Sequence, residues 1–235
     1  MNRSFSMEKA LSAYTLAAAA AGVSLSALTT PSEAKIIYTS GKTRIPINQP
    51  FSLDVNNDHN PDFTILDRTY KGSGSSHIAV LRLDLNGNAV WGRGSFVYPP
   101  HGSVKGVFAS DLPRGFKIHA SKRYFLPVKS AAMGFSFSGP DSNYIYTTQG
   151  QWVESKKRYL GLKFMINGKE HYGWARFDVL LKRNLHVIEA TLTGYAYETI
   201  PNKPIIAGRI KGADVVTMQT DTAPGNLGSL ALGRK

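Results

Sequence analysis

Five residues with oxygen-bearing side chains stand at alternate positions in FSLDVNNDHNPDFTIL (51–66): Asp54, Asn56, Asp58, Asn60 and Asp62. This spacing brings alternate oxygens to one centre, the arrangement a hard cation such as calcium takes at about 2.3–2.6 Å. Three aspartates this close repel one another unless a cation compensates, so the five are the expected ligands of a calcium ion. Counting Asp54 as position 1, position 6, where a sharp turn favours glycine, is His59, and position 12, where an acid often closes the shell, is Ile65. Asp62 is then the closing ligand, and the ion is expected to be a structural clasp between two strands. The competing reading is an Asx-rich turn whose side chains bond only backbone groups.

A second set is aromatic and cationic. Lys163, Tyr172, Trp174, Arg176, Tyr195 and Tyr197 are expected on one face of a sheet, where rings stack on sugar faces and cations meet anionic groups. The alternative is that this face packs against a second layer. Enzyme signatures are absent: there is no GxSxG, no HExxH and no phosphate-binding glycine loop. Glu154, Glu170, Asp178 and Glu189 could supply a glycosidase carboxylate pair. A secreted polysaccharide-acting hydrolase is therefore the alternative to a non-enzymatic binding module.

Strands must position both sets. His77–Leu85 alternates apolar and polar residues, and Asn86-Gly87, a type I′ signal, is expected to fold it back through 89–91 as a hairpin. Short strands are expected at 35–39 and 44–47, at 62–66 after the acid loop, and at 104–109, 132–137, 143–148 and 151–153, with loops rich in Gly and Pro over 92–116. No helical period follows residue 34, and turn signals recur every eight to twelve residues. The expected fold is an all-β, antiparallel β-sandwich, jelly-roll-like, with long loops.

The clearest register lies at 158–200. Asn167-Gly168 as a two-residue type I′ loop sets Ile166 against Lys169, Phe164 against His171, Leu162 against Gly173 and Leu160 against Ala175. Gly161 then stands opposite Trp174, whose indole is expected to lie across the missing side chain. An even loop near Arg183-Asn184 puts Val179 opposite Ile188, Phe177 opposite Ala190 and Ala175 opposite Leu192. Thr191, Thr193, Tyr195 and Tyr197 would join Trp174 on the opposite face.

Residues 1–34 read as a signal peptide, with Arg3 and Lys9 before an Ala-rich apolar segment at 16–28 and a small-x-small site, Ser32-Glu33-Ala34. Cleavage would remove two charges of each sign, so the mature chain keeps the net charge of +12. A secreted, extracellular or periplasmic location follows, with anionic polysaccharide or a cell-envelope surface as the expected partner, no nucleic acid, and no transmembrane span in the mature chain. There is no cysteine, so stability must come from the core or a bound metal. With 42% hydrophobic residues, one β-domain over 35–206 is expected, followed by an irregular tail at 207–235.

Two resemblances accompany these readings. The 54–62 segment resembles the DxDxD-type calcium loops of thrombospondin type 3 repeats, dockerins and EF-hand-like sites, apart from His59 and Ile65. The segments YGWARF (172–177) and AYETIPNKPI (196–205) resemble a poorly characterised family of exported bacterial proteins. That resemblance implies export and a β fold, and it supplies no catalytic residues.

Overall fold

Period-two alternation runs through most strands, and the apolar faces of the central strands find a second layer to cover them. The structure is a computed structural model that describes residues 35–71, 76–96, 106–125, 127–139, 147–182 and 186–219. Residues 1–34, read above as a signal peptide, and the end of the expected tail, 220–235, lie outside these residues. In chain order the strands are β1 (Ile36–Arg44), β2 (Pro50–Leu53), β3 (Phe63–Lys71), β4 (His77–Asp84), β5 (Ala89–Val90), β6 (Gly92–Phe96), β7 (Gly106–Ala109), β8 (Lys117–Ile118), β9 (Ser130–Ser138), β10 (Thr147–Gln149), β11 (Arg158–Ile166), β12 (Lys169–Lys182), β13 (Val187–Glu198), β14 (Ile205–Ile206) and β15 (Val215–Gln219). Among the described residues no helix is long and apolar enough to cross a membrane.

The strands form a β-sandwich. One sheet runs β15-β1-β13-β12-β11-β5; the other runs β2-β3-β4-β9-β7-β6, with β10 paired to β9. Pairing is antiparallel except for β1 with β15 and β7 with β9. Phe63, Ile65, Leu81, Leu83 and Met133 from the second sheet meet Leu160, Phe164, Phe177 and Ile188 from the first in one continuous core. Trp152 lies in a turn, 0% exposed, donates its indole N–H to the Ala109 carbonyl at 2.9 Å and sets its ring edge-on to Phe177. The strand expected at 151–153 is thus a turn whose tryptophan plugs the space between the sheets.

The outer face of the first sheet is covered as well. A second cluster joins Tyr172, Trp174 and Tyr38 to Leu112, Ile118, Phe125 and Ile205, so residues 110–125 and the β8–β14 pair form a lid over it.

The β11–β12 hairpin has the expected register, from Ile166↔Lys169 to Gly161↔Trp174 and Leu160↔Ala175. The space over Gly161 is filled otherwise than expected: a Cβ there would meet Trp91 Cβ at 2.8 Å and Leu112 Cδ1 at 3.0 Å. These two segments cross the strand closely enough for Trp91 N–H to donate to the Gly161 carbonyl at 2.8 Å.

Four further expectations are corrected. From Phe177 onward β12 and β13 pair two residues out from the expected register, with Val179 opposite Ala190 and Phe177 opposite Leu192, so the period of two keeps the apolar face intact there; before it the shift is three, with Ala175 opposite Tyr195. The strand expected at 35–39 runs on to Arg44 with an irregularity between Ser40 and Thr43, whereas of the strand expected at 44–47 only Arg44 belongs to it and 45–49 is a crossover. Asn86-Gly87 makes its turn, with φ of 47° and 87°, but no hairpin follows. β4 is already paired on both edges, by β3 and β9, so the chain leaves for the other sheet, where β5 pairs with β11. Past residue 206 the chain is not all irregular, because β15 adds an edge strand alongside β1.

Candidate functional site

The acid loop, 54–62, joins β2 to β3, whose last pair is Leu53↔Phe63. Asp62 N–H donates to the Leu53 carbonyl at 3.0 Å, closing the loop at its base. Its side chains accept loop amides. Asp54 takes the N–H groups of Asp58 (3.2 Å) and His59 (2.7 Å), Asp58 takes the N–H of Asn60 (2.9 Å), and Asp62 takes the N–H of Val55 (2.8 Å). Asn57 and His59 turn the chain with φ of 60° and 69°. The Asn86 amide donates to the Pro61 carbonyl and the Asn88 amide to the Asp62 carbonyl, so the turn after β4 braces the loop.

Two features of the loop bear on a cation. Burial pushes the Asp62 carboxyl up to about 6, and the charges of Asp54 and Asp58 push in the same direction against the Val55 N–H. Asn56 Oδ1 is buried without a hydrogen-bond partner among the described residues. The donor set is all oxygen and chemically suits calcium. As placed, among the described residues no three His, Cys, Asp or Glu side chains converge on one point, so the loop would have to tighten around an ion.

The six residues expected on one aromatic-polar face are not together. Tyr172 and Trp174 lie under the lid, both 0% exposed, with Trp174 edge-on to Tyr159 at 5.2 Å and Tyr172 stacked on Phe125 at 5.9 Å. A β-bulge explains the rest. Arg176 pairs with Gly194 and the next residue, Phe177, with Leu192, which leaves Thr193 as the extra residue. Past it the side-chain alternation inverts, so Tyr195 and Tyr197 pack on the intersheet core while Ala196 faces Trp174. Arg176 locks the bulge, donating to Thr193 Oγ1 at 2.7 Å and to the Thr193 carbonyl at 2.6 Å. Lys163 pairs with Glu170 at 2.8 Å.

What the structure offers in place of that face is a cleft of ≈ 270 Å³ built on Trp91. Trp91 is its floor, 5% exposed. Tyr124 stacks on the indole at 4.8 Å with the rings 16° apart, and Phe116 stands edge-on to it at 5.2 Å. Main-chain bonds fix these loops: Gly92 N–H to the Tyr124 carbonyl (3.0 Å), Ser110 N–H to the Trp91 carbonyl (2.9 Å), and a reciprocal pair between Leu112 and Tyr159 at 2.9 Å each. Ser110, Asp111, Gln151 and Arg93 complete the wall. Burial raises the Asp111 carboxyl, and Arg158, 3.4 Å away, opposes the shift. Arg93 is exposed and makes no hydrogen bond or ion pair among the described residues. Comparison with family models, with curated proteins and with solved structures finds no match to this chain.

Sequence reasoning missed this cleft because its residues come from 91–93, 110–116, 124 and 151, four separate segments. The available signal was the mixture of aromatic and basic residues in DLPRGFKIHASKRYF (111–125), placed between turn residues. A second cleft, of ≈ 170 Å³, lies beside Phe125 and contains the Lys163–Glu170 pair. Each of the two clefts is lined by one carboxylate, Asp111 or Glu170, and each of these faces a cation.

Proposed function

We propose that this protein is an exported, non-enzymatic module that binds an anionic glycan of the cell envelope or its surroundings in the Trp91 cleft. The observation that carries the reading is the combination of half-buried aromatic walls, Phe116 and Tyr124, with the exposed guanidinium of Arg93, which has no partner among the described residues, at the same opening. Aromatic faces take the apolar side of a sugar ring, and a guanidinium takes carboxylate, sulfate or phosphate in a bidentate fork. The net charge of +12 draws the same class of partner. Export rests on the N-terminal pattern and on the family resemblance. The hydrolase alternative needs two carboxylates roughly 5–9 Å apart in a cleft, and neither cleft supplies a second one among its lining residues.

Affinity electrophoresis or calorimetry against uronate-containing and neutral polysaccharides tests the reading. Tyr124→Ala and Phe116→Ala are each expected to weaken binding about tenfold. Arg93→Gln is expected to remove the preference for the anionic polymer while leaving residual neutral binding. Wild-type affinity in all three variants would dismiss the cleft.

The acid loop belongs to the same proposal as a calcium clasp that stiffens the sandwich. Buried Asn56 Oδ1 and the mutual repulsion acting on Asp62 support it. Excess chelator is expected to lower the melting temperature by about 5–10 °C, and calcium to restore it. The pH response separates the two states. Without calcium, the folded-state pKa of Asp62 lies above its unfolded value, so its stabilising contribution is complete below about 3.8 and is lost as pH rises through about 6. Bound calcium requires the carboxylate, so with calcium that loss is replaced by a gain over the same range. Melting temperatures indifferent to chelator and calcium at both ends of the range would exclude the clasp.

A further inference from the structure

Alternation along β3 places Phe63 and Ile65 on the core side, and it carries Asp67 inward with them. Asp67 is 0% exposed and stands opposite Leu81 of β4. Among the described residues neither of its carboxylate oxygens has a hydrogen-bond partner, and neither has the buried hydroxyl of Thr69, two residues on along the same face. The main chain around them bonds to the crossover 45–49. β2 begins opposite Leu66, and beyond that pair the crossover 45–49, which brings the chain from β1 to β2, takes over the free edge of β3. Asn48 N–H donates to the Asp67 carbonyl at 2.7 Å, Thr69 N–H donates to Asn48 Oδ1 at 2.9 Å, and the Arg68 guanidinium donates to the Asn48 carbonyl at 2.7 Å.

The charged groups that bear on Asp67 are few. Neither β2 nor the crossover 45–49 carries a titratable side chain. On β4, Arg82 and Asp84 alternate to the face opposite Leu81, and His77 pairs with Lys71 at the far end. From the other sheet come Arg44 and Glu189, paired with each other at 2.7 Å and both partly exposed, and the core-facing phenols Tyr195 and Tyr197. None of these hydrogen-bonds the carboxyl. An ionised carboxylate in such a place is strongly unfavourable, whereas a neutral carboxyl has an O–H to give and an oxygen to accept with.

We propose that Asp67 is a proton-binding site between the sheets: the folded protein holds it as the neutral acid, with its O–H available to the Thr69 hydroxyl, and loss of the proton loosens the crossover 45–49. The burial that isolates the group also raises its pKa to about 7, with Arg44 opposing the shift and Glu189 reinforcing it. Because the folded value lies above the unfolded one, the stabilising contribution is complete below about 3.8 and is lost as pH rises through about 7. The crossover carries β1 to the strand preceding the acid loop, so this proton governs the segment that seats that loop.

The test uses the full chain and its Asp67→Asn and Asp62→Asn variants. Carbon-13 carboxyl NMR, with the Asp67 signal identified by its absence from Asp67→Asn, is expected to show a titration midpoint above about pH 6. Asp67→Asn is expected to flatten the fall in melting temperature between about pH 5 and about pH 8, while Asp62→Asn keeps the Asp67 component. Amide exchange at Asn48 and Thr69 is expected to accelerate beyond the intrinsic rate as Asp67 ionises. A carboxyl signal that titrates near pH 4 overturns the proposal even if the asparagine variant fails to fold. So does an unchanged pH profile in Asp67→Asn. A rise in melting temperature at alkaline pH with sodium or calcium chloride, present in Asp62→Asn and lost in Asp67→Asn, would make this a cation site and overturn the proton assignment.

Discussion

Trp174→Ala is expected to destabilise the fold by about 3–5 kcal/mol, the range for removing a fully buried aromatic side chain. Trp174 is 0% exposed, 5.7 Å from Tyr38 and edge-on to Tyr159, under the lid formed by residues 110–125 and the β8–β14 pair. Truncation leaves a cavity among Tyr38, Leu112, Tyr159, Ile118 and Ile205, the residues that cluster with Trp174. Its indole N–H has no partner among the described residues, so part of the tryptophan's packing benefit is already offset by a desolvated donor. Trp174→Phe, which removes that donor and keeps a ring, is therefore expected to cost about 1–2 kcal/mol, well below the alanine variant. Denaturant unfolding with an unchanged m-value measures both. A surface binding platform would give the reverse, an alanine variant of wild-type stability that no longer binds glycan, and that result would return Trp174 to the ligand-binding set.

What was legible in the sequence was what local chemistry dictates. Asn167-Gly168 takes positive φ at both positions, 49° and 74°, and the two strands it joins have no competing neighbour at the turn, so every pair from Ile166↔Lys169 to Leu160↔Ala175 follows from the dipeptide. Asn86-Gly87 adopts similar angles, yet no hairpin results, because a turn sets the direction of the chain and not the free edges of the strand it leaves. The oxygen-rich spacing of 54–62 announced a loop between two strands, and β2 and β3 do pair across it. The Trp91 cleft was not legible because nothing local brings Phe116, Tyr124 and Gln151 to one tryptophan. Asp67 was missed for a related reason. In Asp62-Phe63-Thr64-Ile65-Leu66-Asp67 a charged residue at the end of an alternating run reads as the edge of the sheet, and only the crossover, with Asn48 bonded over it, seals that edge from water.

The bulge at Thr193 was the least legible feature, and it has the largest consequence. Deleting Thr193 is expected to prevent folding, or to cost more than about 4–5 kcal/mol in any product that folds. The bulge allows Leu192 and Tyr195 both to face the intersheet core, although an uninterrupted strand would put residues three apart on opposite faces. Without the extra residue, one half of β13 must invert. Either Tyr195 and Tyr197 leave the core, and two phenols replace small Ala196 against Trp174, or Ile188, Ala190 and Leu192 turn outward. The irregularity between Ser40 and Thr43 on β1, which faces the same position of β13, would then have no counterpart. Gly194, at φ 136° with Tyr38 Oη 2.9 Å from where its Cβ would stand, shows how closely the neighbouring strand follows the bulge. Thr193→Val separates geometry from bonding: it keeps the bulge and removes the Oγ1 bonds with Arg176, so it is expected to cost about 1–3 kcal/mol and still fold. Near-UV circular dichroism and denaturant unfolding of the two variants decide the matter. A deletion variant melting within a few degrees of wild type would mean that Gly194 alone supplies the inversion and that Thr193 is an ordinary strand residue.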